Sequence, residues 1–316
     1  MVSGKWSAAA VIAVVGLSVV TAGCGRYSFS NLKAQKAYKA ANERYRAQDW
    51  RTAAERYETA LAANPERAEI YFFLANSYDN LYKPSRAGDA ENDAYMQKAI
   101  DNYKKAAQLD KNPEMRKLAL QYLVAAYGAD KLNRPDQAEP VVQEMIKMDP
   151  GDPANYAALS KIYEEAGRYE DAEAALMKAR DAKPNDAAVY QQISGFYNRQ
   201  GDFAKTMEYM QKAAELDGNN PLGFYTLATY YEEKVRKDFR ITPAQKKEYI
   251  MKGIEATDRA LKINADYSDA LAYKNILLRH QMRIETDRAK QQELEREADR
   301  LRNRAMELNK KKTAGK

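Results

Sequence analysis

One sequence feature narrows the possible folds of this chain more than any other: a self-match at a shift of 34 residues. Tyr156 falls on Tyr190, Leu159 on Ile193, Ser160 on Ser194 and Tyr163 on Tyr197. Gly167 then falls on Gly201, Tyr169 on Phe203, and Lys178-Ala179 on Lys212-Ala213, while Pro150 and Pro184 are also 34 apart. Small, aromatic and proline residues that coincide at one shift mark a repeat array, in which each unit buries its apolar face on its neighbours. Strand-favouring runs of Val, Ile and Thr are nearly absent after residue 24, and the few glycines and prolines come at intervals, so the units are helical. Small residues such as Ser160, Ala172 and Ala179 let helices approach closely. Tyr156, Leu159, Tyr163 and Leu176 fill the space between them. Gly167 can take the turn, and Pro184 stops one helix and can start the next.

The same template extends in both directions. Upstream, Ala53, Tyr57, Ala60 and Pro65 belong to a first unit, and Tyr71, Leu74, Ala75, Tyr78, Ala99, Tyr103 and Ala106 to a second. A third carries Leu120, Leu123, Tyr127, Ala138 and Pro150. Downstream, Phe224, Leu227, Ala228, Tyr231, Gly253, Ala260 and Leu261 form a sixth, and a weaker seventh starts near Tyr267. The pattern resembles the tetratricopeptide repeat, a helix–turn–helix unit. The resemblance implies an all-α protein, a right-handed α-solenoid of about seven units near 34–65, 68–112, 117–150, 153–184, 187–218, 221–265 and 267–310. Extra residues interrupt units two and six near Lys83–Tyr95 and Arg236–Glu248. They read as extended helix ends joined by a surface loop, or as a partner-binding rim. A longer interruption lies in unit seven around His280–Gln291. Leu294, Ala298, Leu301, Ala305 and Leu308 have heptad-like spacing but fit a C-terminal capping helix better than a coiled coil. Residues 311–316 read as a basic tail.

Proteins of this family bind an extended peptide or a helix in a concave groove lined by the first helix of each unit, at its second, fifth, ninth and twelfth positions. Carried onto this chain, those positions include Tyr38, Asn42, Tyr45, Phe72, Asn76 and Asp79. Further on they include Gln121, Lys161, Gln191, Asn198, Tyr225, Glu232 and Asn275. An asparagine offers an acceptor and two donors, so it can hold a peptide backbone without reading side chains. Tyr38 and Phe72 stand where carboxylate-clamping relatives place Lys or Arg. The implied groove therefore combines exposed aromatics with amides.

The N-terminus adds a second expectation. Lys5 precedes an apolar run from Ala8 to Ala22. Such a run covers only ~22 Å as helix, short of the ~30 Å hydrocarbon core, so it fits a signal peptide spanning residues 1–23. It ends in Thr21-Ala22-Gly23-Cys24, which resembles the lipobox of bacterial lipoproteins, with Thr21 where that box usually has Leu. The resemblance implies lipidation of Cys24, a short tether over residues 24–30, and a lipid-anchored protein of the cell envelope. Gly25 after the cysteine favours the outer membrane, facing the periplasm.

Cys24 is the only cysteine and His280 the only histidine, so no thiolate or histidine metal site is expected. No glycine-rich phosphate loop or nucleophile elbow is present. The formal charge of +6 comes from 51 basic and 45 acidic residues, a mixed surface without a nucleic-acid signature. No cofactor, no nucleic acid and no catalysis are expected. The sequence points to a membrane-tethered scaffold for protein partners. A module binding a glycan or cell-wall polymer through the groove tyrosines is the alternative.

Overall fold

The computed structural model describes residues 29–314, and every regular element among them is helical. Cys24 and the apolar run before it lie outside the described residues. The chain divides into two units, one comprising residues up to 150 with 161–168, the other 151–160 with 169 onward. Helix α7 (Pro153–Glu165) carries residues of both.

The first unit contains α1 (Phe29–Arg46), α2 (Trp50–Ala63), α3 (Ala68–Leu81), α4 (Ala90–Leu109), α5 (Pro113–Tyr127) and α6 (Pro135–Met148). Consecutive helices pack as hairpins α1/α2, α3/α4 and α5/α6, and α3 also touches α5. Alanines make the close approach possible. Ala34, Ala37 and Ala41, three and four residues apart, form the buried stripe of α1, and α2 buries Ala53, Tyr57 and Ala60.

In the second unit α8 (Tyr169–Ala182) packs on α9 (Ala187–Arg199), followed by hairpins of α9 with α10 (Phe203–Leu216) and of α11 (Pro221–Lys237) with α12 (Pro243–Ile263). The last hairpin pairs α13 (Ser268–Ile284) with α14 (Arg288–Ala314). At the α10/α11 contact a Cβ added to Gly223 would sit 2.9 Å from Ala214 Cβ, so glycine is required there. Ala298, Leu301 and Ala305 of α14 are buried in this unit's core, with Leu294 and Leu308 partly buried beside them. The heptad-like stripe therefore belongs to a capping helix.

Local sequence fixes where helices start and turn. Asp49, Asp89, Asn112, Asp186, Asp202 and Asn220 each accept a backbone N–H from the first turn of the helix they precede. At several of the turns between consecutive helices the chain passes through a left-handed residue. Gly167 (φ 73°) and Gly201 (φ 75°) take it, and so does Asn133 (φ 50°), one period earlier. Nothing lies within 4 Å of a Cβ built on either glycine, so glycine is there for backbone conformation rather than space.

The interruptions resolve into longer helices with short connections. Near Lys83–Tyr95 the chain makes one 3-10 turn, Pro84–Arg86, and α4 is already under way at Ala90. Near Arg236–Glu248 only residues 238–242 lie between α11 and α12. In the seventh unit α13 runs to Ile284 and α14 starts at Arg288. At the C-terminus α14 continues to Ala314, and Lys311 pairs with Glu307 across one turn (2.7 Å).

Candidate functional site

Within each unit the first helix of a hairpin presents one flank to the first helix before it and the other to the first helix after it, as α3 does between α1 and α5 and α11 between α9 and α13. The fifth, ninth and twelfth positions occupy the second of these flanks. What becomes of them depends on whether the seam they face is filled.

Two seams lie in the first unit, and both are filled. Between α1 and α3, Tyr45 Oη donates to Asn76 Oδ1 (2.7 Å), and its ring meets Phe73 edge-on at 5.5 Å. Asn42 Oδ1 accepts from Tyr57 Oη (2.7 Å), and Tyr38 lies under the Arg67 guanidinium, 4.6 Å from its ring centre. Between α3 and α5, buried Phe72 packs edge-on against Tyr122 at 5.3 Å. Asn76 Nδ2 donates to Tyr103 Oη (3.3 Å), Tyr103 Oη donates to Asp79 Oδ2 (3.2 Å), and Lys131 pairs with the other Asp79 oxygen. Burial, followed by the Asp79 charge, drives the Tyr103 phenol far above its usual range.

The expected groove of exposed aromatics and amides is therefore corrected in this unit. Phe72 and Asn76 are only 5% and 7% exposed, and the polar atoms of Asn42 and Asn76 hold neighbouring tyrosines. The cause is composition: aromatic residues on both sides of each seam are large enough to close it. With Phe72 buried, an aromatic platform for sugar stacking built from Tyr38 and Phe72 is not present. Gln121 and Lys161 are exposed on their helices, Lys161 Nζ lying 3.7 Å from Glu165.

The α11/α13 seam of the second unit is closed in the same way. Tyr225 meets Tyr267 and Tyr273 edge-on at 5.4 and 5.3 Å. Glu232 is buried between Arg236 (3.2 Å) and His280 Nε2 (3.4 Å), which gives the single histidine a packing role. Asn275 Oδ1 accepts from Arg279 Nε (3.0 Å), and Arg279 continues to Asp299 (2.6 Å).

The α9/α11 seam is open. Gln191, Gly195 and Asn198 lie four and three residues apart, on one face of α9. They line a cavity of about 280 Å³ with Thr226 and Tyr230 of α11 and Ala214 of α10. Gly195 contributes no side chain, and the two amides are too small to reach across. A second cavity of about 650 Å³ shares Asn198 and Tyr230 and extends to Phe203, Lys234 and Phe239. Gln191 and Asn198 are exposed, and neither amide makes a side-chain hydrogen bond among the described residues. Of the predicted groove residues, these two share a cavity.

Sequence reasoning missed Thr226, Tyr230, Phe203 and Phe239. Thr226 and Tyr230 sit on the flank of α11 facing back to α9, whereas the positions carried over from the family were those facing forward. Phe203 had been matched to Tyr169 only as a repeat residue. Phe239 lies inside the interruption near Arg236–Glu248, where the 34-residue register has no counterpart to compare.

Among the described residues no group of three or more His, Cys, Asp or Glu side chains is arranged to hold a metal ion. No helix among them is long and apolar enough to cross a membrane.

No curated protein matches the chain. Among solved structures it is similar to the C-terminal part of a TPR repeat-containing protein from Cytophaga hutchinsonii, with 16% identity, 86% of this chain and 98% of that chain covered, and a TM-score of 0.51. It is also similar to MamA from Desulfovibrio magneticus RS-1, with 19% identity, 58% and 95% coverage and a TM-score of 0.44. A third similarity is to YrrB, described as a TPR protein with an unusual peptide-binding site, with 17% identity, 60% and 89% coverage and a TM-score of 0.40. Family models of the tetratricopeptide repeat match residues 38–111, 131–193 and 187–220, which together span just over half of the chain. Matched on sequence, and built from hairpins with alanine stripes and left-handed turns, the chain belongs to the tetratricopeptide-repeat proteins.

Proposed function

We propose that this protein is a membrane-tethered scaffold of the bacterial envelope, which holds a polypeptide segment of its partner in the α9/α11 seam. One observation carries the binding half: this seam is open and lined by Gln191 and Asn198, whose amides have no side-chain partners, whereas the other seams described are filled. Amides seven residues apart on one helix face stand about 10 Å apart along the axis, a spacing that can hold three peptide units of an extended backbone. The tether rests on Cys24 and the lipobox-like residues before it, and with them the envelope location and the preference for the outer membrane.

Two experiments test the two halves separately. A photo-crosslinking amino acid at Gln191 should capture polypeptide in cells, while one at exposed Glu208 should not; equal yields at both positions would remove the groove. Replacing Cys24 with Ala should abolish fatty-acid labelling and release the protein from membranes; unchanged labelling would remove the tether.

A further inference from the structure

A cavity of about 360 Å³ lies in the first unit between α4 and the α5–α6 turn. Both of its walls are pinned. On one side the buried Asn92 side chain accepts from the Lys83 N–H (2.8 Å) and donates to the Lys83 and Arg86 carbonyls (3.1 and 3.0 Å), which fixes the connection from Tyr82 to Ala87. On the other, the Arg134 N–H donates to Tyr127 O (2.8 Å) and the Asn133 N–H to Gly128 O (2.9 Å), which fixes the turn carrying Lys131 and Arg134. Walls held this way lose little freedom when a ligand enters, so the cavity is formed before it is filled.

The buried side of the cavity holds hydroxyls with nothing to bond. Tyr82 and Tyr127 are 6% and 3% exposed, and neither hydroxyl makes a hydrogen bond among the described residues. Neither oxygen is sealed off, since Asp110 Oδ2 is the one fully buried side-chain oxygen or nitrogen without a partner among them. The cavity that both tyrosines line is therefore what their hydroxyls can reach. Burial, then the Asp93 charge, push the Tyr82 phenol up, so it stays a donor. A hydroxyl held out of bulk water costs stability until something accepts from it. Buried Met96 and Ile100 of α4 add an apolar floor.

The rim carries free cations. Lys104 and Arg134 are exposed, and neither forms an ion pair among the described residues. Lys131 is paired with Asp79 and adds no net charge. Asp93 also lines the cavity and opposes an anion, but its carboxylate receives the Gly88 N–H (3.0 Å). Two free cations against Asp93 leave one uncompensated positive charge. Helix α6 starts at the same rim, and its N-cap, Arg134, gives the first turn no side-chain bond, so the positive end of its dipole adds the same sign. One excess charge matches a carboxylate, whereas a phosphate ester brings nearly two negative charges.

We infer that this cavity binds a small organic acid with a single carboxylate on an apolar body. The carboxylate takes up bonds from Lys104, Arg134 and the tyrosine hydroxyls, and the apolar body covers Met96 and Ile100. The volume, near the lower end for small-ligand sites, suits a free acid rather than a stretch of polypeptide. This site takes no part in the α9/α11 reading and stands or falls separately.

The test is a ligand-observed NMR titration of the full chain with acetate, butyrate, hexanoate, octanoate and benzoate, compared with 1-hexanol and inorganic phosphate. At least one acid should bind saturably, about tenfold or more tighter than either comparison compound. Its affinity should fall about tenfold in Lys104→Gln and in Arg134→Gln. It should stay unchanged in Lys105→Gln, whose ammonium lies over the Tyr71 ring. Tyr127→Phe separates the site from the fold. It should weaken the acid about threefold or more, yet leave the melting temperature of the free protein unchanged or higher, because the hydroxyl it removes has no partner. Binding that survives both cation substitutions, or a Tyr127→Phe protein that melts lower and binds as before, would overturn the inference. So would the absence of saturable binding by any of the acids, or tighter binding of phosphate or of a pentapeptide ending in leucine.

Discussion

Asn76 occupies a ninth position, where the family would use it to bind a partner, but the structure gives it a different task. Its Oδ1 accepts from Tyr45 Oη at 2.7 Å, and its Nδ2 donates to Tyr103 Oη at 3.3 Å. Asn76→Ala removes both bonds; it also removes the one Asn76 Oδ1 accepts from Asn80 Nδ2 (3.1 Å), at little cost because that donor keeps the Asn76 backbone carbonyl (2.8 Å). The Tyr45 bond is short, and a net contribution of about 1 kcal/mol is appropriate for it. The Tyr103 bond is long, and Tyr103 keeps Asp79 as acceptor, so its loss costs roughly 0.5 kcal/mol. The space left beside Phe72 and Tyr103 adds about 1 kcal/mol, and the better helix propensity of alanine returns roughly 0.6 kcal/mol. The sum is a destabilisation of about 2 kcal/mol, or a melting temperature lower by roughly 6 °C for a unit of this size. The assay is urea or thermal unfolding followed by circular dichroism, with Tyr45→Phe and the double variant completing a cycle. The two single changes should couple by about 1 kcal/mol, because each removes the same hydrogen bond. Partner binding should persist at temperatures where the variant is folded. Full stability together with lost binding would refute the assignment, and would return Asn76 to the groove.

Gly223→Ala should destabilise by about 1–3 kcal/mol despite the gain in helix propensity, because the new methyl meets Ala214 Cβ at 2.9 Å and Cα at 3.1 Å, and a neighbouring backbone cannot yield. Gly253→Ala should cost less, since its nearest contacts are the terminal methyls of Leu277, and a matched pair of melting curves gives the order. Tyr45, Tyr57, Tyr78 and Tyr103 all have phenols raised by burial, Tyr78 to about 12. A raised phenol favours the folded state below the ordinary value of 10 and ceases to do so as pH climbs through the folded value. Stability measured by urea unfolding should therefore fall between pH 10 and 12. Phenolate absorbance should lag behind that of the unfolded chain; coincident titration curves would contradict the buried network.

The helices, their pairing and the alanine stripes were legible in the sequence, because they depend on neighbours a few residues away or one period away. Gly167 and Gly201 announced the left-handed turn, and the same register shows why Asn133 can take it. The family positions were legible too, but their roles were not. Asn42, Asn76, Asn198 and Asn275 are alike on paper. The first two hold tyrosines, the last holds Arg279, and only Asn198 faces an open cavity. For Asn76 and Asn198 the difference arises in the side chains across the seam, about thirty residues away on another helix, whereas Asn42 is held from within its own hairpin and Asn275 from within its own helix. Phe73 and Tyr122 close their seams, whereas Gly195 and the short amides leave theirs open. Repeat spacing by itself determined which residues share a helix face. Whether that face meets a partner or its own neighbour was decided only when the helices packed, because the volume filling a seam is the sum over two helices.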